Sequence, residues 1–457
     1  MTTNSNNIVI VSIDGLAQFY MEDPNVHMPH LHALVKRGTA AGMKSIFPTA
    51  TWAIHTSLAT GCYPRKHGVL GNWVIDRNGP NGPRVGEHFG DRTWSKEETV
   101  LKETFYDAAK KKGWSTASIC WPKTRNAPTV DHNIPEFYEQ ELFEQYSTPA
   151  LWSALKEKGL PIENYGAWST DHARGHLQDW LTTEIAKHVI EEHQPNLLMV
   201  HYLLPDSYQH DFGTRSNEVY WSLSYIDEQI GKLIDSLKAQ GLWEKTNMFV
   251  VSDHGFVDTS WTFYPNLLFS QKGWFDLANF ETNTKVAAVS NGGSGYVYIH
   301  ESDEIKRKEL IREVYALLLE TEHVKHVYCD SEFHSLGLPE VGELDDHRPD
   351  LVFEMEEDCF VHYGFEGAEV IAKQAKFKGM HGFSPELDDM KAIFVASGPD
   401  IEEGIHLPEV NAIDVAPTLT NLIGYELVDI DGSVINCIRK GEPSIGTKYS
   451  DTLIKRK

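Results

Sequence analysis

The sequence predicts an α/β protein, with a mostly parallel central sheet, helices on both faces and a small α/β insertion. Three observations carry this. Short apolar, β-branched runs alternate with amphipathic stretches, the pattern of βαβ units. Three of those runs end shortly before an aspartate, at Asp14, Asp206 and Asp253. In parallel sheets, reactive residues collect just beyond the carboxyl ends of strands. The pattern then changes over about 292–377, where acidic loops separate shorter elements.

Residues 8–13 read as a buried strand stopped by Asp14-Gly15. Residues 29–37 place Leu31, Leu34 and Val35 on one helical face, with Gly38 as the stop. A second helix spans 51–60 and is closed by Gly61. The stretch 73–114, rich in Gly and charge, reads as a looser insertion. A strand follows at 115–120, an amphipathic helix at about 176–192 and an apolar strand at 196–202. Over 218–240, Tyr220, Leu223, Ile226, Ile230, Leu233 and Leu237 recur at helical spacing, and 247–252 is the next strand. Within the insertion, 296–299 and 350–354 read as strands and 306–321 as a helix. Residues 392–396 (a strand) and 411–423 (a helix begun near Asp414) return to the main domain. The expected division is a catalytic domain over 1–291, a small insertion or cap over 292–377, and the end of the catalytic domain over 378–457.

Composition narrows the partners. The 457 residues carry a formal net charge of -25, which argues against a nucleic-acid polymer or an anionic membrane as main partner. No apolar run approaches the roughly 20 residues needed to cross a bilayer, and residues 1–7 lack the basic and apolar regions of a signal peptide. The five cysteines (Cys62, Cys120, Cys329, Cys359, Cys437) are scattered and never form C-x-x-C, which suits a reducing cytoplasm. A cytoplasmic location is the expectation.

The chemistry lies in short motifs. Asp206 and His210 are four residues apart and can face one ion if the segment is helical. Asp253-His254-Gly255 sits at a strand end, where adjacent ligands diverge towards the two sides of a metal pair. His381 lies between glycines, in Lys378-Gly379-Met380-His381-Gly382-Phe383. Each motif alone is commonly a surface pair, a turn or a loop residue. Together, carboxylates and imidazoles suit Zn²⁺, and Mn²⁺ or another divalent ion can occupy such ligands. Thr51 stands in the first turn of its helix, where free amides and the positive dipole end attract an anion. Bound to a metal, its hydroxyl becomes a nucleophile. The competing reading is that Thr49 or Thr51 only caps the helix.

The block Pro48-Thr49-Ala50-Thr51-Trp52, His55, Thr60-Gly61, Tyr63-Pro64, His67-Gly68 and Asn72 resembles the P-T-x-T-[FW]-x-x-H…T-G-x-x-P-x-x-H-G…N pattern of the nucleotide pyrophosphatase/phosphodiesterase family, in the alkaline phosphatase superfamily. The motifs run in order from Asp14 to His381, and Asp414-Val415-Ala416-Pro417-Thr418 is also similar. The resemblance implies an alkaline-phosphatase-like sheet and two Zn²⁺. Asp14, Thr51, Asp253 and His254 would hold one ion, and Asp206, His210 and His381 the other. It further implies a phospho-threonine intermediate on Thr51 and cleavage of phosphodiester or pyrophosphate bonds in small, nucleotide-like phosphorylated substrates. Asn72, with the Thr51 amide, would hold a non-bridging oxygen, and Trp52 would pack against a leaving group or base.

The chain departs from the family where Ala53-Ile54 replaces Pro-Asn and Gln209 replaces Gly, which bears on substrate rather than on the metals. Three alternatives stay open: a phosphonate hydrolase of the phosphonoacetate hydrolase kind, a phosphomonoesterase, and a metal-dependent binder of phosphorylated ligands without turnover. A sulfatase is disfavoured, because Cys62-Tyr63-Pro64-Arg65 lies a helix beyond the nucleophile position. The cluster His27, His30, His32 falls where Pro29 starts a helix and is not read as a metal site, Asp345-Asp346-His347 reads as a solvated acidic turn, and the run Asn291-Gly292-Gly293-Ser294-Gly295 reads as a turn with no Lys-Ser/Thr after it.

Overall fold

The computed structural model describes residues 6–362, 364, 369–373, 377–436 and 447–448. Cys437, the first five residues and most of 437–457 therefore lie outside the described residues. The main sheet runs, from one edge, Ile405–Asn411, Gly38–Lys44, Ala392–Ser397, Thr246–Ser252, Asn7–Ile13, Leu197–Tyr202, Thr116–Ile119 and His132–Ile134, with Thr447–Lys448 outside the first. At its centre, Thr246–Ser252, Asn7–Ile13 and Leu197–Tyr202 are parallel neighbours. Ile13 stands opposite Tyr202 on one side and Ser252 on the other, so the three strands end level. That alignment brings Asp14, Asp253 and the loop leading to Asp206 to one edge.

The sheet is buried on both faces, as helical crossovers require. Val9, Val11 and Ile13 pack with Leu181, Ile185, Ile226 and Ile230, from the helices Gly175–Glu192 and Asn217–Ala239. Ile8 and Ile10 point the other way, towards Ile54, Leu58 and Leu419 of the helices Thr51–Thr60 and Val415–Ile423. Burying such a side chain contributes about 1.5–3 kcal/mol.

Three local features differ from the sequence reading. Gly38–Lys44 is a strand, although its Thr-Ala-Ala-Gly-Met-Lys run has little β-branching and Gly38 read only as a helix stop; its register is imposed by Ala392–Ser397 and Ile405–Asn411 on either side. Ala392–Ser397 runs antiparallel to both neighbours. The stretch 411–414 is not α-helix: Asn411 ends a strand and caps the short 3₁₀ helix Ala412–Asp414, and the α-helix begins at Val415, beside Asp414 as expected.

The stretch 73–114 contains the hairpin Trp73–Asp76/Arg84–Glu87 and the helix Phe105–Lys111. Phe105, Tyr106, Ala108 and Ala109 of that helix join the core beneath the main sheet. Downstream, an antiparallel sheet in the order Val286–Ser290, Ser294–Ile299, Leu351–Met355, Val324–Tyr328 carries its own core with the helix Glu304–Leu319. Its first strand precedes residue 292.

Candidate metal centre and active site

The helix Thr51–Thr60 opens with Ala50 at its N-cap, a residue with no side-chain acceptor to cap the first turn, where backbone amides attract an anion. Gly61, at φ 70°, closes it. The two threonines before the first turn have different fates. The Thr49 hydroxyl donates to the Phe383 carbonyl and accepts from the Gly382 amide, both at 2.9 Å, and is spent in pinning the His381 loop. The Thr51 hydroxyl lies 3.4 Å from His254 Nε2. The Trp52 amide donates to Asn72 Oδ1 at 3.1 Å, which ties Asn72 to the same turn.

His254 Nε2 is the hub of one group. Asp14 Oδ1 lies 3.4 Å from it, Asp253 Oδ2 3.3 Å and Thr51 Oγ1 3.4 Å. A tetrahedral ion with bonds of about 2.0–2.1 Å would separate its ligand atoms by roughly 3.3–3.4 Å. The second group is built on the helix Leu204–Phe212, where Asp206 and His210 share a face one turn apart. Asp206 Oδ2 is 3.5 Å from His210 Nε2, and Asp206 Oδ1 is 3.7 Å from His381 Nε2. Asp206 also has an oxygen within 4.8 Å of ligand atoms of Asp14 and His254, so the groups adjoin.

The donor chemistry fits divalent cations. Each histidine turns Nδ1 towards a backbone carbonyl: His254 to Gly255 at 3.2 Å, His210 to Gly379 at 3.0 Å and His381 to Thr49 at 2.7 Å. With Nδ1–H donating, Nε2 presents a lone pair to the site, the usual outer support of a metal-binding imidazole. Burial holds His254 down to about 3 and His210 to about 4, and pushes His381 well below its ordinary value, so all three are neutral at pH 7. The carboxylates show the opposite strain. Burial, then repulsion from Asp253 and Asp206, drives Asp14 well above the usual range; burial and Asp253 lift Asp206 to about 8. Asp14 Oδ1, Asp206 Oδ1 and Asp253 Oδ2 are buried with no hydrogen-bond partner among the described residues. Orphaned carboxylate oxygens beside neutral imidazoles are unfavourable without a cation.

A second layer escaped the sequence reading. His201 Nε2 lies 3.5 Å from Asp14 Oδ2 and its Nδ1 3.3 Å from Glu136 Oε2, so a buried His-Glu pair stands behind Asp14. His55 bridges the Thr51 carbonyl (2.8 Å) and Ser12 Oγ (2.9 Å), bracing the helix start against the central strand. Gln209, one of the family departures, is a strut. It donates to the Gly15 carbonyl at 2.8 Å and accepts from the Tyr20 hydroxyl at 2.9 Å, joining the Asp14 turn to the Asp206 helix. Ala53 and Ile54, the other departure, are in the core. A polar residue inside an apolar strand, as at His201, was the available signal.

Above the ligands opens a cavity of ≈ 390 Å³, lined by Asp14, Thr51, Asn72, Asp206, His210 and His381 among others. Its organic wall includes Trp73, Phe89 and Tyr138. Phe89 stacks on both of the others, at 5.7 and 5.5 Å between centroids. Trp52 is wholly buried behind this wall, its ring edge-on to Phe89 at 6.1 Å, and is not part of the lining. No Lys or Arg lines the cavity among the described residues. A second cavity, of ≈ 480 Å³ between Pro417 and Val434, contains none of these groups.

Comparison with known proteins adds the lineage. A family model described as type I phosphodiesterase / nucleotide pyrophosphatase matches residues 8–384. A venom phosphodiesterase of Crotalus durissus collilineatus is 23% identical over 439 residues, covering 93% of this chain and 45% of its own. The bis(5'-adenosyl)-triphosphatase ENPP4 of Bos taurus is 24% identical over 434 residues, covering 92% of this chain and 78% of its own. The chain thus spans under half the length of the first relative and about three quarters of the second. Among solved structures, human ectonucleotide pyrophosphatase/phosphodiesterase 5 matches with a TM-score of 0.67 at 18% identity, over 93% of this chain and 97% of that one. An inactive threonine-to-alanine variant of the murine protein, in complex with AMP, matches with a TM-score of 0.68 at 18% identity, over 94% and 97%. These structural likenesses establish the alkaline-phosphatase-like fold.

Proposed function

This chain belongs to the type I phosphodiesterase / nucleotide pyrophosphatase family, and on that premise we propose that it is a two-metal hydrolase of phosphodiester or pyrophosphate bonds in small, nucleotide-like substrates. The observation that carries the reading is the hub at His254 Nε2, where the oxygens of Asp14, Asp253 and Thr51 converge at 3.3–3.4 Å. A binder would need the carboxylates, but it has no use for a hydroxyl among them at a helix start.

Asp14, Thr51, Asp253 and His254 would hold one Zn²⁺, and Asp206, His210 and His381 the other. Bound there, the two ions would supply Lewis-acid stabilisation of the attacking and leaving oxygens and favour the ionised Thr51 hydroxyl. Thr51 Oγ, its proton released to solvent, attacks phosphorus in line. The P–O bond to the leaving group breaks, and phospho-threonine forms. Water then attacks the same phosphorus, breaks the Thr51 Oγ–P bond and returns the hydroxyl. Asn72 steadies a non-bridging oxygen through its amide N–H, since its Oδ1 already accepts from Trp52. The stacked Trp73, Phe89 and Tyr138 take the organic part of the substrate, in place of the Trp52 face expected from the motif.

A reducing compartment is part of the proposal. The four described cysteines are unpaired, and no helix among the described residues is long and apolar enough to cross a membrane.

The test pairs elemental metal analysis with hydrolysis of bis-p-nitrophenyl phosphate, p-nitrophenyl phosphate and phosphonoacetate. Two zincs per chain and a strong preference for the diester are expected. Preference for the monoester or the phosphonate would keep the site and overturn the substrate class. Metal binding without turnover would leave a binder.

A further inference from the structure

We propose that Asn291 is a second amide donor to the phosphoryl oxygens, set beside Asn72 by the loop between the strands Val286–Ser290 and Ser294–Ile299. This rests on the phosphodiester reading above and names a determinant of its substrate charge. Asn291 is 2% exposed and lines the same cavity as Thr51 and Asn72. Its Oδ1 accepts the Asn72 backbone N–H at 3.2 Å. A donor facing the amide decides which end is oxygen, so Nδ2 is turned away from that N–H. Nδ2 is buried and has no hydrogen-bond partner among the described residues. An unpaired buried donor is costly, and one at a ligand cavity is satisfied when the ligand arrives.

The surrounding backbone is shaped to hold this amide. A Cβ at Gly71 would meet Asn291 Oδ1 at 2.2 Å, so the side chain lies directly on the glycine before Asn72. Gly292 (φ +86°) and Gly382 (φ +89°) let the Asn291 loop and the His381 loop touch: a Cβ at Gly292 would lie 2.1 Å from the His381 carbonyl oxygen, and one at Gly382 1.6 Å from the Asn291 carbonyl oxygen. The Gly293 amide donates to the His381 carbonyl at 2.8 Å. The run that reads as an ordinary turn is therefore locked between the oxyanion residue and a metal-ligand loop.

A phosphodiester carries one negative charge on two non-bridging oxygens. Two neutral amides, one from Asn72 and one from Asn291, match that charge and number. A dianionic monoester calls for a cationic clamp instead, and no Lys or Arg lines the cavity among the described residues.

Asn291→Asp is the discriminating variant, because it keeps an oxygen against the Asn72 N–H and removes the donor. Turnover of bis-p-nitrophenyl phosphate, the inhibition constant of orthovanadate (a trigonal-bipyramidal mimic), zinc content and thermal melting are measured on wild type and variant. We expect kcat to fall by about 10²-fold or more, the range for loss of one oxyanion donor, with a parallel rise in the vanadate constant and unchanged zinc and melting. Diester turnover within about threefold of wild type, on the same yardstick, overturns the proposal, as does loss of zinc or fold in both Asn291→Asp and Asn291→Ala, which would make the residue structural. If only Asn291→Asp fails to fold, Asn291→Ala is read by the same criteria. A wild-type protein that holds zinc but does not cleave the diester would instead overturn the substrate reading; active wild type with an equally active variant sinks only the role of Asn291.

Discussion

Stripping the metals should leave a protein whose stability falls steeply as pH rises above neutrality, and restoring them should remove most of that fall. In the metal-free chain Asp206 is lifted from 3.8 to about 8, burial first and Asp253 second, and Asp14 and His201 are also raised. A raised pKa means the folded state binds more protons than the unfolded chain, so stability is lost with rising pH through the folded value. The lowered histidines (His254 and His55 to about 3, His210 to about 4) act in the opposite sense, but only below the unfolded value of 6.5. Between about pH 6.5 and 8.5 the raised groups therefore dominate, and Asp206 alone would cost about 2 kcal/mol over that window. Bound cations hold Asp14 and Asp206 deprotonated, so the zinc-loaded protein should keep only the smaller fall left by groups outside the ligand set, such as Asp179, which burial lifts to about 7. The assay is urea denaturation at 25 °C of chelator-treated and zinc-loaded protein at both pH values, read as midpoints at constant slope. A metal-free protein equally stable at both pH values, or identical pH behaviour with and without zinc, would refute the reasoning.

Thr51→Ala should abolish diester turnover while two metals and the melting temperature stay close to wild type; persisting activity would move the nucleophile to Thr49 or to water. Thr49→Val, by contrast, leaves the Gly382 amide and the Phe383 carbonyl unpaired and should lower stability by about 1–3 kcal/mol, with loss of the ion held by His381; full metal content would contradict this role. Asn72→Ala should lower kcat by about 10²–10³, and an unaltered rate would remove it from the site. Gln209→Leu breaks the bonds to Gly15 and Tyr20; a denaturation midpoint equal to wild type would show that Gln209 is no strut.

Local sequence was a good guide wherever the physics is local. The run at 8–13 is apolar, β-branched and stopped by Asp-Gly, and it is a buried strand ending at the site. Residues 51–60 carry their own stop in Gly61. The spacing of Asp206 and His210 suffices to put both on one helical face. Elements whose stability is borrowed were harder to see. Gly38–Lys44 has weak strand propensity and is held by its two neighbours, and Ile405–Asn411 contains Pro408, where its register shifts.

What the sequence determined by itself was the inventory of the site: which carboxylates, imidazoles and hydroxyl end which strand or start which helix, because period, caps and stops are read within a turn or two of chain. Which atoms meet was decided only by the tertiary structure. The sequence favoured Thr51 over Thr49 by its place in the first helical turn, but what occupies Thr49 is set by a loop 332 residues away, which turns His381 to the Thr49 carbonyl while its next amide takes the Thr49 hydroxyl. Trp52 goes into the core and Asn291 onto the cavity for the same reason. A side chain's partners are set by whatever packs across from it, and pairing between distant segments leaves no periodic trace in either one.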